Sequence, residues 1–98
     1  MLVAFSVTPI GSGSTSVADA VAGAVRVVRE SGLPNRTDAM FTTVEGEWDE
    51  VMLVVKDACD AVLANGSERV SLVLKADIRP GATGTLDSKV RAIEDRLK

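Results

Sequence analysis

Two stretches of the chain place polar side chains where a plain core strand would have none. One is Met40-Phe41-Thr42-Thr43-Val44-Glu45-Gly46-Glu47. The other runs from Arg69 to Arg79, with Lys75, Asp77 and Arg79 at alternate positions. Polar groups held on a sheet cost desolvation unless something hydrogen-bonds them. Both stretches are therefore candidates for a binding or catalytic surface. Glu45 and Asp77 are the carboxylates that general acid–base chemistry would need. No partner for such chemistry is evident: the chain has no His and a single Cys, Cys59. The commonest general base near neutral pH and the commonest metal ligand are thus missing. A Cys/His zinc site within one chain is excluded as well. The residues point to binding and away from catalysis, with no metal.

Each candidate has a plainer reading beside it. Lys75, Asp77 and Arg79 project from one face of a strand, as an ion-pair ladder of at most about 1 kcal/mol or as a preset polar platform. Trp48 either staples the following helix to the core or offers a stacking face. Gly11-Ser12-Gly13 joins a strand to a helix, where an anion can sit on backbone N–H groups. It lacks the third Gly of a dinucleotide fingerprint and the Gly-Lys-Ser/Thr of a phosphate loop, so a solvated turn is favoured. Cys59, beside Ala58 and Val62, reads as a small buried thiol.

The elements that must position these residues follow from periodicity. Leu2 to Thr8 alternates as a strand that Pro9 ends. Ser16 to Ser31 carries Val17, Val21, Ala24, Val25 and Val28 at helical spacing. Ser16 and Asp19 resemble a capping box. Gly32 and Pro34 stop the helix. Strands are expected at Thr37–Phe41 and Thr43–Glu47, and a second helix at Trp48–Asn65 that buries Val51, Val54, Val55, Ala58, Val62 and Leu63. A strand at Glu68–Arg79 and a last helix at Leu86–Leu97 complete the chain. That helix has one narrow apolar stripe, Leu86, Val90, Ile93 and Leu97. It docks either on its own domain or on a second subunit.

The order β-α-β-β-α-β-α predicts an α+β fold: a ferredoxin-like sandwich, βαββαβ plus a C-terminal helix, on a four-stranded antiparallel sheet. Both main helices then cover one sheet face. The other stays open, carrying Ala4, Ser6, Thr8, Ser71, Val73, Lys75, Asp77 and Arg79. Such a face suits a ligand or a subunit interface.

Ninety-eight residues suit one domain, residues 1–98. Hydrophobic residues make up 46% of the chain and the net charge is −3. The charge excludes a duplex nucleic-acid binder, which needs a basic face, and the pair of values excludes a disordered chain. No secretory signal pattern and no bilayer-length apolar run is present, so a cytoplasmic protein without membrane association is expected.

The ordered set of motifs resembles the small thiamine-binding protein family, formerly a family of unknown function. Pro9, Gly11 and Ser16-Val17 match its start, and Ser31-Gly32-Leu33 the end of its first helix. Met40-x-Thr42-x-Val44-Glu45-Gly46-Glu47, continued by Asp49-Glu50-Val51, is similar to its most distinctive motif. Arg69-Val70 and Lys75-x-Asp77-x-Arg79 resemble its last strand, and Lys89-Val90 falls in its terminal helix. The resemblance implies a ferredoxin-like fold and a homodimer or homotetramer. It also implies non-catalytic cytoplasmic binding of thiamine or its hydroxymethylpyrimidine moiety, with no cofactor beyond that ligand. On this reading Glu45 or Asp77 offsets the thiazolium cation or accepts from the aminopyrimidine. Ser6, Thr42 and Thr43 satisfy ring nitrogens. Met40, Phe41 or Trp48 supplies a flat contact, and Lys75 and Arg79 flank the site. The alternative is a regulatory module that senses an amino acid or nucleotide at a subunit interface. An acylphosphatase-type enzyme shares the topology, but the loop after strand one has no Arg, which that chemistry requires.

Overall fold

The computed structural model describes residues 1–11 and 17–98. Four strands and three helices follow in the order β1 (Leu2–Ile10), α1 (Val17–Glu30), β2 (Asn35–Thr37), β3 (Thr42–Glu45), α2 (Trp48–Ala64), β4 (Arg69–Asp77) and α3 (Thr85–Arg96). The sheet order is β2-β3-β1-β4, with every neighbouring pair antiparallel. This is the ferredoxin-like α+β arrangement that the element order predicts.

The core lies between the sheet and the pair α1–α2. Val3 and Phe5 of β1 and Val44 of β3 face it from the sheet. Ala20, Ala24 and Val28 of α1 and Val51, Val54, Val55, Ala58 and Val62 of α2 face it from the helices. Small Ala and Val side chains let the helices lie close to the sheet. Each fully buried Val contributes about 1.5–2 kcal/mol by removing its surface from water. At the start of α2, Glu50 Oε1 accepts the Glu47 amide at 3.1 Å, which satisfies one of the donors that a helix start leaves free.

Three boundaries differ from the periodicity, each for a structural reason. The second strand covers Asn35–Thr37 and not Thr37–Phe41. The Asp38 carboxylate accepts the amides of Met40 and Phe41, both at 2.9 Å, and folds 38–41 into a tight turn. The third strand accordingly starts one residue early, at Thr42, and ends at Glu45. The first strand runs through Pro9 to Ile10. There β1 pairs with β4 alone, since its pairing with β3 ends at Phe5↔Thr42. A residue without an N–H is tolerated where one side of a strand has no neighbour. The expected cap at Ser16 and most of the loop Gly11-Ser12-Gly13 lie outside the described residues.

The outer sheet face is not left wholly open. The first turn of α3 lies against its end, beside β3. The rest of α3 stands away, and none of its residues is buried. The radius of gyration is accordingly 14.6 Å, against about 12.6 Å for a compact chain of this length. Among the described residues, no helix is long and apolar enough to cross a membrane.

Candidate functional site

The short β3 decides where space opens. Beyond Phe5, the edge of β1 that faced β3 has no strand beside it. The turn 38–41 swings clear of that edge, and α1 closes the gap from the helix side. The result is a cleft of about 390 Å³, lined by Ser6 to Pro9 of β1, Val17, Val21 and Val25 of α1, and Thr37 to Thr42. Its volume falls within the range of small-molecule sites.

Its chemistry is mixed in a way that suits a flat polar ligand. The α1 side is aliphatic. Met40 and Phe41 stand exposed at the turn. Thr37 and Thr42 bring their hydroxyl oxygens to 3.2 Å of one another. Asp38 adds a carboxylate. The Phe41 and Met40 amides hold it below the usual carboxylate range, outweighing a small opposing effect of burial. It therefore stays ionised at the lining of the cleft. Sequence reasoning missed Asp38. The signal available was an Asp two residues before Met40, the usual opener of a side-chain-to-backbone turn.

The nine residues singled out from sequence divide among separate places. Ser6, Met40 and Thr42 line the cleft. Thr43 pairs with Ala4 and Arg36 on the outer sheet face. Trp48 is 54% exposed and does not staple α2 to the core. With Met1, Ile78 and Arg79 it borders a shallow hollow under the loop after β4. Lys75 is exposed on the outer face.

Glu45 and Asp77 flank Leu2 from opposite sides, on β3 and β4, which sets their strands about 10 Å apart. Both are occupied by α3. Glu45 is 7% exposed. Its carboxylate accepts the Thr85 amide at 2.9 Å, the Thr85 hydroxyl at 3.0 Å and the Leu86 amide at 3.3 Å. Burial pushes its pKa up, but these three hydrogen bonds, helped by the N-terminal ammonium, hold it below the usual Glu range. Asp77 pairs with Lys89 of α3, which lowers its pKa, and not with its strand neighbours Lys75 and Arg79. Arg36 of β2 pairs with Asp87 at 2.7 Å. In this structure these carboxylates anchor a helix. Among the described residues, no group of three or more His, Cys, Asp or Glu is placed to hold a metal ion. Cys59 is half-buried, and desolvation and Asp60 push its thiol pKa up.

The comparisons with known proteins agree on the kinship of the chain. A family model described as thiamine-binding protein matches residues 3–94. A UPF0045 protein of Mycobacterium bovis is 56% identical over 98 residues, 99% of this chain and 94% of the relative. A domain of unknown function from Bacillus cereus superposes with a TM-score of 0.84 at 38% identity, over 91% of this chain and 85% of that one. A protein from Methanocaldococcus jannaschii superposes at 0.82 with 34% identity, over 95% and 94% of the two chains.

Proposed function

The chain belongs to the thiamine-binding protein family, and on that premise we propose that it binds thiamine or the hydroxymethylpyrimidine moiety of thiamine in the cleft beside β1. The role is non-catalytic, cytoplasmic and needs no further cofactor. The observation that carries this reading is the pairing, in one cleft, of an apolar wall with an anionic Asp38 and the Thr37–Thr42 hydroxyls. A flat aminopyrimidine would lie against Val21, Val25 and Met40. A permanent thiazolium cation would lie toward Asp38, whose carboxylate stays charged.

The working form is a homo-oligomer. Along α3, Val90, Ile93 and Leu97 are 45%, 61% and 76% exposed, on a helix that buries none of its residues. Val73 on the outer sheet face is exposed too. A second copy of the chain covering α3 and this face would remove that apolar surface from water.

The test is thermal unfolding with thiamine, hydroxymethylpyrimidine, thiamine phosphate, ATP and amino acids. A ligand at 100 times its dissociation constant adds about 2.7 kcal/mol to the native state. At about 4–8 °C per kcal/mol for a domain of this size, the midpoint rises by roughly 11–22 °C. The expected result is a rise with thiamine or hydroxymethylpyrimidine. A rise with ATP or an amino acid alone would establish the sensing module instead.

A further inference from the structure

Resting on that reading of the cleft, we infer that the main chain of Val7 selects the ligand, donating its N–H to a ring nitrogen and accepting the neighbouring amino group at its C=O. The inference comes from the ladder. Met1 and Gly46 exchange both main-chain hydrogen bonds, at 3.0 and 3.1 Å. Such mutually bonded pairs recur at every second residue of an antiparallel ladder. In the register of β1 and β3 the next are Val3↔Val44 and Phe5↔Thr42. Odd-numbered residues of β1 thus turn their N–H and C=O toward β3. Even-numbered ones turn toward β4, and Ile10 does so, its oxygen accepting the Glu68 amide at 3.2 Å.

Beyond Phe5 the alternation continues but β3 does not. Val7 and Pro9 therefore present their main-chain groups to the cleft that both residues line. Pro9 has no N–H, so Val7 carries the amide donor of this bare edge, with its own carbonyl beside it. Among the described residues no strand pairs with that side of Val7. A single donor–acceptor pair is too little to recruit another strand, since the next two-bond position is spoiled by Pro9. It is the complement of a small heterocycle that has an amino group next to a ring nitrogen. The 4-aminopyrimidine of thiamine has that edge. A 4-oxopyrimidine presents the reverse order, acceptor outside and donor in the ring.

Two measurements test this, both by calorimetry. The first leaves the protein untouched and compares thiamine with oxythiamine, its 4-oxo analogue. Oxythiamine is expected to bind about ten- to a hundredfold more weakly, because it meets the Val7 carbonyl with an acceptor. The second replaces Val7 by the corresponding α-hydroxy acid, which turns the Ser6–Val7 amide into an ester. This removes the Val7 N–H, keeps the Val7 carbonyl and weakens the Ser6 carbonyl, which faces β4 and not the cleft. Thiamine is expected to bind about three- to tenfold more weakly. The free protein should lose only the small amount of stability expected from one weakened Ser6–β4 bond, since the Val7 N–H itself makes no ladder bond. Equal affinity of wild type for thiamine and oxythiamine, or an ester variant that binds thiamine as wild type does, would overturn the inference and leave thiamine binding standing. A wild type that binds no thiamine removes the reading beneath it and this inference together.

Discussion

Glu45 holds α3 to the sheet, and replacing it by Ala should release that helix while sparing the cleft. The substitution removes an acceptor that serves the Thr85 amide, the Thr85 hydroxyl and the Leu86 amide. Loss of one helix cap costs about 0.5–2 kcal/mol. Hydrogen bonds to a charged group are worth about 1.5–3 kcal/mol each, and less where the freed donors regain water. Together these set the loss at about 2–3 kcal/mol. No α3 side chain is buried in the protomer, so among its described residues nothing else of that size ties the helix down. The Arg36–Asp87 and Asp77–Lys89 pairs are exposed, and exposed pairs add little. The loss should therefore appear as local undocking. In the monomeric Ile93→Glu background, where no second copy covers α3, hydrogen exchange should speed up by about 30- to 140-fold across α3, since about 1.4 kcal/mol is tenfold. Amides of α1 and α2 should keep their protection. Thiamine affinity should change by less than about twofold, because Glu45 lies three residues, about 10 Å, along β3 from Thr42 and on the other sheet face. Unchanged α3 protection when Glu45→Ala is added to that background would refute the reasoning. So would a tenfold loss of thiamine affinity with α3 still protected.

Further outcomes follow from the same geometry. The native pKa values of Glu45 and Asp77 are both lowered, so their contribution to α3 docking is full above the unfolded values of about 4.3 and 3.9. It is lost as pH falls through the depressed native values; the protection factors of α3 amides, which correct for the slower intrinsic exchange in acid, should fall on acidification, and Glu45→Gln should flatten that dependence. Asp38→Asn keeps an oxygen for the Met40 and Phe41 amides but removes the charge. Calorimetry should show thiamine binding about fivefold more weakly, the factor for one charge pair near 4 Å in water, with hydroxymethylpyrimidine unchanged. Gly84 precedes α3 with φ 67°, so Gly84→Val strains the backbone by about 1–2 kcal/mol and should weaken α3 docking in exchange experiments. Ile93→Glu should lower the sedimentation-derived mass of the oligomer while leaving the circular dichroism of the protomer intact.

Local patterning determined the order of elements, most of both helix stripes, the core face of β1 and β4, and the family. Two stripe positions differ: Leu63, expected to be buried, is exposed near the end of α2, and at the start of α1 Val17 is exposed while Ala20 is buried. These are short-range properties: an alternation of two along Val3, Phe5 and Val7, and a period near 3.6 along Val51, Val55, Ala58 and Val62, follow from backbone geometry alone. Ser6, Met40 and Thr42 could be singled out because polar or flexible groups on apparent strands stand out locally. The cleft could not be read in this way. It exists because β3 meets β1 at Phe5↔Thr42 and goes no further, and a strand's register and end are set by its partner and its turn. Asp38 looked like strand flank until its carboxylate was seen to fold the 38–41 turn. Glu45 looked like a ligand group because its real partners, Thr85 and Leu86, lie some forty residues on. Long-range hydrogen bonds leave no periodic trace, so only the tertiary structure could show that this carboxylate holds a helix and that the edge of β1 is left bare beyond Phe5.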